Sequence, residues 1–396
     1  MKRTHARPAA AAALAVTACL AAAACNFLGG GGLGGGPGRA RTLEGKDPYT
    51  DPGTGDAAPR AGARDARIVF EIGGVPVPSP VVLGHVGGKP AAMVLDTGAQ
   101  SHVVAEWAAL AARLPTRAAT ERGADATGHA LTFTIVDRPE LSLTGWGPLP
   151  ERPAAVTRMP AFFEDLGLGV ILSPQLLATF KEAVVLDLKD GRLTSAPWDD
   201  AARALAPRGA ALVPAGLRVC SDPSAAVDNL GYVVPARVED HDVLLEVDTG
   251  ARVTTIFTGT PAGDALLPRA VERSAPVHTL SGVPSVDRVL AGARLRVGEV
   301  ARTLDVHVGA GLHDPDCPYD GLLGIDVLRD CALVLARDRM AGTCVAPSPA
   351  AAPGPASTPS PAAPAPTVPV PAPAPAPAPA PAAPVPAPAS AAPRPR

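Results

Sequence analysis

Two short stretches carry the residues best suited to chemistry: VLDTGAQ at 94–100 and EVDTGAR at 246–252. Each puts a carboxylate, Asp96 or Asp248, ahead of a hydroxyl and a glycine at the end of an apolar run. A single motif of this kind is an ordinary way to end a strand, because Asp and Gly favour turns. Two carboxyls held close together are a different matter, since like charges do not both ionise cheaply and the pair shares a proton. One carboxylate can then take a proton from water while the other acid donates a hydrogen bond to a carbonyl, which hydrolyses an amide without a covalent intermediate.

The elements that must position these residues are legible as a repeat. SPVVLGHVGGKPAAMVLDTGA precedes and includes the first motif, and GYVVPARVEDHDVLLEVDTGA the second. Each reads as a β-branched strand, a turn and a second apolar strand that ends on the Asp. Downstream, turn signals at Gly128 and Gly282 lie 32 and 34 residues after their Asp, and Gly145 and Gly298 lie 49 and 50 after it. ILSPQLL and LLGIDVL then put Ser173 and Gly324 at offsets of 77 and 76, each followed by a further hairpin pattern. A duplicated β unit of roughly 130 residues accounts for this order. The expected domains are 66–200 and 201–345, with short helices after ILSPQLL and LLGIDVL.

With these motifs the chain resembles the pepsin and retropepsin superfamily of aspartic proteases, most closely the bacterial retropepsin-like proteins. The resemblance spans roughly 66–345 and rests on the paired Asp-Thr-Gly-Ala motifs, the flap-like turns and LLGIDVL. It implies an all-β, bilobal fold in which Asp96 and Asp248 form the catalytic dyad of an endopeptidase acting on a peptide or protein substrate, without a cofactor. It assigns Thr97 and Thr249 to hydrogen bonds across the lobes. Gly98 and Gly250 allow the close backbone approach where two tight turns meet. Ala99 and Ala251 stand where many relatives have a hydroxyl that would favour the charged carboxylate, so the dyad is expected to titrate higher and work nearer neutral pH. Two motifs in one chain remove the need for a dimer, and a monomer is expected.

The pattern departs from the family in two places. Ser173, or in a shifted register Leu172, stands where the second half has Gly324. Neither flap-like turn has a Tyr, and His129 reads as a solvated turn residue. These departures favour the alternative of a catalytically weak or inactive protein of the same fold that binds peptides or envelope components.

Composition narrows the setting. The formal charge is −3 and aromatics make up 3%, which leaves neither an electrostatic nor a stacking case for nucleic acid. Lys2, Arg3 and Arg7 followed by the apolar run Ala9 to Ala24 read as an export signal. Small residues before a cysteine point to a lipoprotein signal ending at Cys25, with Cys19 as the alternative, and a membrane-anchored envelope protein is expected; plain secretion is the other reading. Cleavage before Cys25 leaves Cys220, Cys317, Cys331 and Cys344, an even set suited to disulfides outside the cytoplasm. Cys331 and Cys344 flank a hairpin, which would leave Cys220 with Cys317, although four cysteines allow three connectivities. No Cys-x-x-Cys or His-Glu-x-x-His spacing suggests a metal. Residues 26–65 read as a Gly/Pro-rich tether and 346–396 as a Pro/Ala-rich disordered tail.

Overall fold

The computed structural model describes residues 64–345 except 120–122, 214–215, 222–226, 228, 273–276, 313 and 315–316. The stretch read as an export signal, Cys19 and Cys25, most of the stretch read as a tether, and all of 346–396 lie outside the described residues.

The first half opens on the hairpin Val75–Val86 and Lys89–Leu95, paired with Val81 opposite Val94. Gly87 and Gly88 turn it with φ of +52° and +73°, the left-handed pair that a two-residue hairpin turn requires. Lys89–Leu95 then lies parallel to Leu168–Leu172, which runs antiparallel to Val103–Ala105. Val103–Ala105 is in turn parallel to Ala154–Thr157. The second half repeats this order. The hairpin Leu230–Val238 and His241–Val247 lies parallel to Gly321–Leu323, which is antiparallel to Thr255–Phe257, itself parallel to Val300–Gly309. Leu95 faces Leu172 in one half and Val247 faces Leu323 in the other, so both Asp residues leave their strands at equivalent positions.

The closing hairpins of the two halves do not fold back onto their own lobes. Ala183–Asp187 pairs with Cys331–Leu335, and the resulting six-stranded sheet has Asp65–Arg67 on one edge and Ala210–Ala211 on the other. The fold is therefore all-β and built from a duplicated unit, a ten-stranded and an eight-stranded sheet carried on a shared one. Its core is aliphatic, with Val81, Val94, Leu95, Ile171, Leu172, Leu245, Val247 and Leu323 fully buried. Strands buried on both faces read as continuous apolar runs rather than as an alternation, which is why LGVIL at 168–172 contains no polar side chain. Short helical turns follow the two Gly324-type positions, at Pro174–Leu177 and Ile325–Leu328. Cys220 is joined to Cys317 and Cys331 to Cys344.

Among the described residues no helix is long and apolar enough to cross a membrane.

Candidate active site

Asp96 and Asp248 stand just beyond the strands that deliver them. Each backbone N–H is held by the neighbouring parallel strand, Asp96 on the Leu172 carbonyl at 2.9 Å and Asp248 on the Leu323 carbonyl at 3.0 Å. The two loops then interlock. The Thr97 hydroxyl donates to the Val247 carbonyl at 2.6 Å and accepts from the Thr249 N–H at 3.0 Å. The Thr249 hydroxyl donates to the Leu95 carbonyl at 2.7 Å and accepts from the Thr97 N–H at 3.1 Å. Four buried backbone groups at the loop crossing are thus satisfied by two side chains, and the halves are fixed to each other beside the carboxylates.

The carboxyls meet. Asp96 and Asp248 share a hydrogen bond, and the Gly98 backbone also donates to Asp248. A Cβ on Gly98 would lie 2.5 Å from Asp248 Cγ, so glycine is required here by close approach. The Ala99 N–H donates to Asp96 Oδ1 at 2.8 Å, while the Gly250 and Ala251 N–H groups donate to Asp248 Oδ1 at 2.8 and 2.9 Å. Burial of Asp248 opposes its charged form and outweighs the bonds from Ala251, Asp96, Gly250 and Gly98, so the carboxyl is pushed up to about 6. Desolvation is the largest cause of that rise.

Further cross-lobe bonds brace the pair. The Ser79 hydroxyl reaches the Gly250 carbonyl at 3.1 Å, and the Leu230 N–H reaches the Gln100 carbonyl at 3.0 Å. The register of the parallel strands makes Ser173 the counterpart of Gly324 and leaves Leu172 inside its strand. In the second half the Ile325 N–H donates to the Ala251 carbonyl at 2.8 Å. Its counterpart in the first half is Pro174, which has no N–H. The Ala99 carbonyl is satisfied instead by the Ser173 hydroxyl at 2.6 Å and the Gln175 amide at 3.0 Å. Ser173 is thus a compensation for Pro174 and leaves the turn around Asp96 in place. Gln175 also donates to the carbonyls of Thr97 at 3.1 Å and of Leu230 at 2.7 Å, tying both halves together.

Two turns come together near this centre. Asp125 is fully buried, and its Oδ1 accepts from the Thr127 N–H, the Thr127 hydroxyl and the His129 N–H. Its Oδ2 accepts from the Ser281 N–H of the second half at 3.3 Å, and the Leu312 N–H donates to the Ala126 carbonyl at 2.9 Å. The Gly128 and Gly282 turns, both with left-handed glycines, are therefore joined in this conformation. The imidazole of His129 is half exposed and bonds the Thr127 hydroxyl at 2.7 Å. Among the described residues, no group of three His, Cys, Asp or Glu side chains is placed to hold a metal ion.

The duplicated β fold thus presents two carboxyls at an interlocked loop crossing, the arrangement that the resemblance to aspartic proteases implied. Residues 82–169, which include Asp96, match the aspartyl protease family, so the resemblance drawn from the sequence holds. The matched segment ends before Asp248, whose place rests on the internal repeat and the geometry above. A comparison with curated proteins finds no match.

Sequence reading did not single out Gln175, Gln100, Asp125, Ser79 or Glu246. Glu246 was the easiest to find, because aligning the two motifs sets it against Val94 in an otherwise apolar strand end.

Proposed function

We propose that the chain is an aspartic endopeptidase in which water is activated between Asp96 and Asp248. One observation carries this reading: two carboxyls from equivalent strand ends, buried and hydrogen-bonded to each other, with their loops locked by Thr97 and Thr249. A pair that holds one proton contains both the base that water needs and the acid that polarises the scissile carbonyl. The proton belongs to the pair rather than to either residue.

The purified chain should cleave a mixed peptide library between pH 3 and pH 8 and be inhibited by a statine-containing peptide. Folded protein that cleaves nothing would instead support a peptide-binding role. The N-terminal apolar run ending at Cys25 supports an envelope-anchored setting, and two Asp-Thr-Gly motifs in one chain support a monomer. Incorporation of a labelled fatty acid that disappears in Cys25→Ala, with Cys19→Ala unaffected, is the check on that anchor.

A further inference from the structure

We infer that Glu246 is the residue that selects the substrate, forming a subsite for a basic side chain on one side of the scissile bond. This rests on the endopeptidase reading above and gives it a substrate class.

Side chains alternate along a strand, so Glu246 and Asp248 face the same side, about 6.7 Å apart along the chain. Leu245 and Val247 point the other way into the core. Glu246 is 1% exposed. Its cross-strand neighbours are Val233 and Leu322, which belong to one small apolar cluster with Tyr319, Phe257 and Ala126. Ala126 comes from the turn of the first half, so the cluster lies where that turn meets the second lobe. Gly231 makes room for the carboxyl itself, since a Cβ there would stand 2.9 Å from Glu246 Oε1, with the Gln100 side chain packed beside it.

Neither oxygen of Glu246 meets a hydrogen-bond partner of good geometry among the described residues. Tyr319 and Gln100 lie close enough to favour its charged form, but burial and the neighbouring Asp248, with Asp314 beyond, hold it well above the ordinary carboxylate range. A buried carboxyl left in this state is costly, and a ligand that brings its own donors relieves the cost. A lysine or arginine side chain does so and also balances the charge that forms when the acid ionises.

The first half has Val94, fully buried, at the equivalent position. The two sides of the dyad therefore differ, one apolar and one acidic. A substrate with an apolar residue on one side of the scissile bond and a basic residue on the other matches both.

The test uses non-hydrolysable reduced-amide peptides carrying lysine or norleucine at each of the two flanking positions, with binding to the full chain measured by calorimetry. The expected result is binding at least tenfold tighter for lysine at one position, falling below twofold in Glu246→Gln, with norleucine peptides bound equally by both proteins. Equal norleucine binding shows that the variant is folded. Should it fail that control, the wild-type chain decides alone: the lysine peptide should release about one more proton than the norleucine peptide, read from two buffers of different ionisation enthalpy. Absence of a lysine preference, a preference that survives Glu246→Gln, or equal proton release overturns the assignment. If library peptides are cleaved without such a preference, only the subsite falls. A folded chain that neither cleaves nor binds peptides removes the endopeptidase reading along with it.

Discussion

Thr97 holds two backbone groups of the opposite half, the Val247 carbonyl and the Thr249 N–H. Valine keeps the shape and loses both bonds, leaving two buried polar groups without partners, a cost of roughly 2–4 kcal/mol. Thr97→Val should therefore lower the denaturation midpoint markedly, whereas Thr97→Ser should be close to wild type. Gly98→Ala acts differently, because its methyl group would collide with the Asp248 carboxyl. Displacing that carboxyl by even 1 Å is expected to reduce kcat/KM by about a hundredfold, with a much smaller change in stability. At this scale the sequence was most informative. The DTGA residues could be named in advance because each is tied to a local turn and a strand end. Ser173 could not be interpreted, because its role depends on Pro174 failing to donate to a carbonyl 75 residues away in the chain.

Among the elements, the turn carrying Asp125 and the turn carrying Ser281 form the contact with the clearest consequence. Burial works against the Asp125 carboxylate, but bonds from Ser281, Thr127, Thr279 and His129 outweigh it and hold the group below its ordinary value. A depressed carboxyl contributes stability above its unfolded value, near 3.9, and loses it as pH falls through the folded value. The turns should therefore separate at the acid end of the range. Asp125→Ala should bring the same opening at neutral pH, seen as faster amide exchange at 123–131 and 279–285 with exchange in Lys89–Leu95 unchanged. Equal protection in variant and wild type would show that the turns are held by something else. The strand hairpins and the duplication were legible because period-two patterning and glycine turns recur at matching offsets. The shared six-stranded sheet was not, since each closing hairpin carries the same local pattern whether it packs on its own lobe or on its partner.

For the whole molecule, proton balance and covalent links set the conditions under which the fold is firm. A carboxyl such as Asp248, raised from 3.8 to about 6, is the opposite case to Asp125. The folded state binds the proton more tightly, so its contribution is fully present below the unfolded value and is lost as pH rises through about 6. That loss is on the order of 3 kcal/mol, and Glu246 and Asp326, both raised by burial, act in the same direction. Thermal unfolding followed from pH 4 to pH 8 should show stability falling, and Asp248→Asn should flatten the fall. The Cys220–Cys317 bridge closes a separation of 97 residues in the second half. Removing it as a Cys220→Ser, Cys317→Ser pair should cost about 2–5 kcal/mol, read as a lower denaturation midpoint. The pairing itself was one of three allowed by the sequence, because cysteine spacing does not record which loops the sheets bring together.

The central claim is that Asp96 and Asp248 act as one unit, and the most direct measurement is kcat/KM for wild type, Asp96→Asn, Asp248→Asn and the double variant on one cleaved peptide. A shared dyad predicts that each single substitution removes nearly all the activity, by roughly a thousandfold or more, and that the double variant is no worse than either. Either single variant retaining substantial turnover, or losses that multiply in the double variant, would contradict it.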